Sequence, residues 1–206
     1  MKLLVVAPHP DDESIGCGGT LRLHVERGDR VDVVYLTSGE LGLEELAPDA
    51  ARNVREEEAE QAAAVLGLSD LTFLRHPDWF VDDVGEAAQR DLVRLVEEQA
   101  PDRVLYPHAG EAHPDHAAAA RIVDRVADVL GAPFERAAYE VWTPMTDFDD
   151  VEDISGVFET KLAAVRTYAS QLANFRYDDA VEGLNRFRGA LAAHCAYAEV
   201  FQLFYS

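Results

Sequence analysis

Apolar runs recur along the chain at 2–7, 31–36, 71–74, 103–106 and 137–142, and polar, glycine- or proline-bearing stretches follow them. Continuous apolar runs of about four to eight residues read as strands buried on both faces. Between them, apolar positions recur three and four residues apart, the helical period. This predicts helices from near Gly18 to Arg27, stopped by Gly28, then over 49–66, 84–99 and 114–130, the last stopped by Gly131. Beyond Trp142, residues 161–171 and 186–204 keep a spacing near 3.6, so the C-terminal part is predicted to be helical.

Strands alternating with helices imply a parallel sheet with right-handed crossovers. The expected fold is α/β: a Rossmann-like parallel sheet in strand order 3-2-1-4-5, helices on both faces, and a helical C-terminal part. In that order strands one and four are neighbours at the switch point, so their carboxyl ends adjoin, where open α/β sheets bind ligands. No linker or repeat interrupts the chain, and its length suits a single domain over 1–206.

The candidate chemistry sits at those two ends. After the first strand come His9, Pro10, Asp11, Asp12 and Glu13, one imidazole and three carboxylates within five residues. Crowded carboxylates repel one another unless a cation lies among them. His9 and Asp12, three apart, share one side of a turn, and Asp11 points elsewhere, free to act on a metal-activated water. The fourth strand leads to His113, Pro114, Asp115 and His116. A catalytic zinc commonly takes three His or carboxylate ligands and keeps a position for water. His9, Asp12 and His116 supply that set, with His113 left over. A third His-Pro-Asp, His76 to Asp78, is set aside because the tetrahedral site is already filled. Trp79 and Phe80 beyond it read either as an aromatic wall for a sugar ring or as a loop buried by its own aromatics.

The paired motifs, with Gly16, Gly18-Gly19-Thr20, Leu36-Thr37, Gly39-Glu40, Arg55, Glu58 and Leu66-Gly67, resemble the zinc-dependent PIG-L/LmbE-like N-deacetylases. That resemblance implies Zn2+ as cofactor and an N-acetylglucosamine-type small-molecule conjugate as substrate. It implies His9, Asp12 and His116 as ligands, Asp11 as general base, His113 as the group steadying the oxyanion, and Arg55 as a substrate-binding residue. Asp115 is assigned to orient a histidine from behind. Trp79 offers a face on which a sugar ring packs. Some members have a catalytic tyrosine where this chain has Glu111, and an ionised glutamate cannot donate to an oxyanion. Glu111 is therefore expected to line the rim, disfavouring anions, to keep His113 protonated, or to stand as a plain solvated loop residue. The same site leaves open a metal-dependent esterase or other amidase, and a non-catalytic zinc- or sugar-binding protein.

Composition narrows the partners. Thirty-nine acids against 18 bases give a net charge of −21, which repels nucleic acid and anionic membrane surfaces. No run reaches the ~20 apolar residues that span a bilayer, so no membrane insertion is expected. The two cysteines, Cys17 and Cys195, build no disulfide framework, which fits a reducing cytoplasm. A homo-oligomer is compatible with the sequence. A Gly16-x-Gly18-Gly19 reading as a dinucleotide loop fails, because Leu21 stands at the sixth position and the acidic run would repel a pyrophosphate.

Overall fold

A computed structural model describes residues 1–204 of the chain. Strands β1 (Lys2–Ala7), β2 (Arg30–Tyr35), β3 (Asp70–Phe73), β4 (Arg103–Pro107) and β5 (Glu135–Tyr139) alternate with helices α1 (Asp12–Glu26), α2 (Pro48–Leu66), α3 (Gly85–Gln99) and α4 (Pro114–Leu130). Then follow β6 (Asp150–Asp153), α5 (Phe158–Val165), α6 (Ala169–Leu172), α7 (Tyr177–Arg188), a π-helical turn at Gly189–Ala193, and β7 (Ala198–Phe204). All seven strands share one sheet in the order β3-β2-β1-β4-β5-β7-β6.

The first five strands are parallel, in the expected order. Alternate residues of β1 face opposite layers. Leu3, Val5 and Ala7 pack with Leu21, Ala62 and Leu162, whereas Leu4 and Val6 pack with Leu92, Ala119 and Val123. Helices thus cover both faces, which is why β1 reads as an unbroken apolar run. Among the described residues no helix is long and apolar enough to cross a membrane.

Two expectations need correction. The C-terminal part is not wholly helical: β7 pairs antiparallel with β5, Tyr139 opposite Phe201, and β6 pairs antiparallel with β7. The segment Ala198-Glu199-Val200-Phe201 carries apolar residues at spacings that suit either period. The exposed edge of β5 decides between them, because its ladder groups require partners. Helix α1 begins at Asp12 rather than near Gly18. Its glycines lower helix propensity, but they permit close packing: a Cβ on Gly16 would lie 2.3 Å from Tyr139, and one on Gly19 would lie 2.7 Å from Ile154.

Beneath α1, the Glu199 carboxylate accepts from Gly19 N (2.9 Å), Thr20 N (2.8 Å) and Lys161 Nζ (2.6 Å), all sealed from solvent. Removing one partner of a buried pair strands the other charge, at a cost of about 3–5 kcal/mol. Lys161→Met is therefore expected to lower unfolding free energy by about that much in urea titrations, and a second substitution, Glu199→Gln, to recover part of the loss. A drop below about 1 kcal/mol, the scale of an exposed pair, would mean that water reaches this site.

Candidate active site

Parallel pairing of β1 with β4, Val5 opposite Leu105, sets the two strand ends side by side. From Ala7 the chain turns sharply through His9 and Pro10. Asp11 takes φ +124°, a conformation L side chains rarely adopt. Its amide donates to Glu13 Oε2 at 3.2 Å, while Tyr168 Oη and Ser14 Oγ each donate to Glu13 Oε1 at 2.6 Å. This buried bracket fixes the turn, and Asp12 opens α1. At the other end Pro114 opens α4, and His113 caps it, Nδ1 accepting from Asp115 N at 3.2 Å.

The two motifs meet on the Asp12 carboxylate. Its Oδ2 lies 3.2 Å from His9 Nδ1, and its Oδ1 lies 3.3 Å from His116 Nε2. The His113 ring sits 4.8 Å from each of the other two imidazoles. His9 Nε2 also faces Asp115 Oδ2 at 3.3 Å and Asp78 Oδ1 at 3.1 Å. All of these side chains are buried.

Such a cluster demands positive charge. Burial opposes a charged His9, yet Asp115, Asp12 and Asp78 together raise its pKa well above the ordinary value. Burial likewise opposes a charged His116, and Asp12 and Glu111 overcome it, raising the pKa to about 9. Asp12 is held far below the usual carboxylate range: burial would raise it, but His116 and His9 prevail. A divalent cation meets the same demand. Ligand atoms of His9, His113 and His116 lie within 4.8 Å of one another, and so do those of His9, Asp78 and Asp115. Asp78 Oδ1 is buried without a hydrogen bond. Imidazole nitrogens and carboxylates are a donor set that suits zinc.

Asp11 stands apart from the Asp12 contacts. Burial pushes its carboxyl up to about 7, with the Arg55 guanidinium pulling partly the other way. Arg55 Nη2 donates to Pro10 O and lies 3.3 Å from Asp11 Oδ2. Its Nε and Nη1 are buried without partners. Burial lowers His113 to about 4, with the neighbouring His9 and His116 charges adding to the effect. These groups line a cavity of about 810 Å³ together with Trp79, whose ring lies 4.6 Å from His113.

The remaining expected residues fall as follows. Asp115 sits behind His9 and also accepts from Trp79 N (2.7 Å) and Val81 N (3.2 Å), so it ties the third His-Pro-Asp loop to the site. Of the two expected wall residues, Trp79 lines the cavity and Phe80 does not. Glu111 is not at the rim and does not touch His113. Its side chain is fully buried, 3.4 Å from His116 Nδ1, and it accepts from the amides of Val141 (2.7 Å), Trp142 (3.1 Å) and Thr143 (3.2 Å). Burial works against the charge, but His116 and those amides hold Glu111 below its ordinary value. Sequence reasoning set aside Asp78, although a third His-Pro-Asp at a strand's carboxyl end was the signal for it. Trp142, Phe175 and Tyr177, which also line the cavity, carry no motif.

The family model for GlcNAc-PI de-N-acetylases, PIG-L, matches residues 4–127. A 1D-myo-inositol 2-acetamido-2-deoxy-alpha-D-glucopyranoside deacetylase of Acidothermus cellulolyticus is 30% identical over an alignment covering 83% of this chain and 80% of that protein. The solved N,N'-diacetylchitobiose deacetylase of Pyrococcus horikoshii superposes with a TM-score of 0.86 at 25% identity, covering 98% of this chain and 83% of that one. The 4-carboxy-2-hydroxymuconate hydratase of Pseudomonas putida shares the fold with a TM-score of 0.80 at 25% identity, covering 100% of this chain and 96% of that one.

Glu111 holds the 141–143 turn, and with it Trp142. Glu111→Ala leaves the buried Val141 amide and the half-buried Trp142 and Thr143 amides without this acceptor, at about 1–3 kcal/mol. Thermal or urea unfolding should register that loss, and tryptophan emission should shift red as Trp142 loosens. Glu111→Gln keeps one acceptor oxygen and should lose less. Equal stability and emission for all three proteins would show that the turn stands without this carboxylate.

Proposed function

The chain belongs to the PIG-L family, and we propose that it is a zinc-dependent hydrolase removing the acetyl group from an N-acetylglucosamine-type sugar conjugate. One observation carries the reading: the buried Asp11 carboxylate, with Arg55 beside it, lines the same sugar-sized cavity as His9, Asp12, His113 and His116. A structural zinc site would have no use for such a group.

His9, Asp12 and His116 are the residues that would hold the ion. Bound there, zinc supplies Lewis acidity for the acetyl carbonyl and acidifies a water molecule. Every other role falls to side chains. Asp11 accepts the proton of the attacking water on its carboxylate and returns it to the leaving amine. The strained turn aims that carboxylate, and the Glu13–Tyr168 bracket keeps it there. The His113 Nδ1 lone pair is engaged by Asp115 N, so the neutral ring carries its proton on Nε2. That N–H donates to the oxyanion as charge develops on the carbonyl oxygen. Arg55 offers two unengaged donors to a sugar hydroxyl pair or a carboxylate, and Trp79 packs against the ring. Acetate and a free amino sugar are the products. Support for the substrate class comes from the family and from the deacetylase relatives.

Metal content and turnover separate these roles. His116→Ala is expected to bind zinc at well below one ion per chain. Asp11→Asn is expected to retain the ion and lose nearly all turnover. Loss of zinc in the Asp11 variant and retention in Asp12→Ala would reverse the two aspartates. The substrate assay takes methyl, inositol and malate glycosides of N-acetylglucosamine and measures released acetate. Cleavage of esters alone would sink the deacetylase reading and leave the metal site intact.

Arg55 turns Nη2 toward Asp11 and leaves Nε and Nη1 for substrate groups away from the bond broken, so its loss acts mainly on KM. Arg55→Ala should lower kcat/KM about ten- to a hundredfold, equivalent to about 1.5–3 kcal/mol, the scale of hydrogen bonds to a charged group. A fall confined to kcat would instead make Arg55 a positioner of Asp11.

A further inference from the structure

Beside the catalytic cavity lies a second one, of about 440 Å³, that none of the roles above uses. Ile15, Val141, Pro144, Val181, Leu184 and Asn185 line it, and no charged side chain does. It is no separate surface feature, because Trp142, Phe175 and Tyr177 line both cavities. Trp142 reaches the metal cluster on one side, with its ring 5.4 Å from His113 and 5.9 Å from His116. On the other side it adjoins Phe175 (6.2 Å) and Tyr177 (6.3 Å), which stack on each other at 5.3 Å.

Two features of this annex point to an occupant. Trp142 is 47% exposed and Phe175 is 49% exposed, a large apolar surface to leave to water in so acidic a chain. Asn185 is buried, and its Nδ2 donates to Ala198 O at 2.9 Å, while its Oδ1 is buried with no partner. An unpaired buried carbonyl in an apolar cleft is costly unless a ligand supplies a donor.

We propose that the annex is the aglycone subsite: it takes an uncharged, flat apolar group attached to the amino sugar, bearing a hydroxyl or N–H that donates to Asn185 Oδ1. The inference rests on the amino-sugar reading above and narrows its substrate class. With the acetamido group at the metal cluster, the glycosidic substituent crosses the Trp142–Phe175–Tyr177 edge and leaves water for the apolar cleft. Offset stacking on aromatic rings favours planar groups there. A carboxylate or phosphate substituent would find no counter-charge in the annex and would lose its hydration.

The test compares the 6-hydroxy-2-naphthyl and methyl glycosides of N-acetylglucosamine, by acetate release and by calorimetric binding, on the wild type and two variants. Ala180→Trp on the exposed rim of α7 fills the annex, and Leu184→Ser makes its wall polar. The wild type should favour the naphthyl glycoside at least about tenfold in kcat/KM and in Kd, a step of about 1.4 kcal/mol. Both variants should cut that preference toward unity, chiefly through KM. Equal handling of the two glycosides by the wild type, or a preference that survives both substitutions, overturns the proposal. So does a dimer in sedimentation that Ala180→Trp dissociates with the preference intact, which would give the cleft to a second copy. If neither glycoside is deacetylated but naphthyl binding is tighter and falls in both variants, the subsite stands and the catalytic reading fails.

Discussion

Parallel pairing of β1 with β4 is the constraint on which the site depends. The chain reaches β4 only after two crossovers on the other side of β1, so the sheet reverses direction of growth at this pair. At such a reversal the helices leave on opposite faces and a crevice opens at the strand ends. His9 and Asp12 enter it from one strand, and His113 and His116 from the other. Neither motif is a site by itself. Asp12, spanning His9 and His116, is where the pairing becomes chemistry.

Holding so many ionisable groups out of water is costly, and the structure offsets the cost locally. Carboxylates alternate with imidazoles, so each charge has an opposite neighbour. Asp115 and Glu111 stand behind the histidines and draw their remaining oxygen capacity from backbone amides of the 79–81 and 141–143 turns. The same carboxylates therefore orient imidazoles and fasten the loops that carry Trp79 and Trp142. The cluster of imidazoles and carboxylates and the aromatic walls are mechanically one unit. A change in either acid would be felt at both.

The C-terminal half completes what the five parallel strands begin. Strand β7 covers the β5 edge and brings Glu199 under α1, where it meets Lys161. Tyr168, between α5 and α6, reaches Glu13 and so supports the Asp11 turn from 155 residues away. Helix α7 supplies the far wall of the annex. The five parallel strands carry the cluster of imidazoles and carboxylates, and the segment after β5 adds walls to the cavity beside it.

The chain by itself determined the parallel core, its strand order and the two clusters of ligand-type residues. These rest on local signals: doubly buried strands are apolar throughout, and histidines next to aspartates have few packing uses. Tertiary structure alone decided the rest. Residues 198–204 fit two periods, and only the unpaired edge of β5 selected the strand. Four acidic or apolar letters at 150–153 became an edge strand because β7 offered a ladder. Glu111 looked like a free loop acid until the 141–143 amides closed on it, and Asp78 looked surplus until its loop folded onto His9. In each case the deciding partner lies more than 29 residues away along the chain, and short-range pattern carries no record of a contact at that distance.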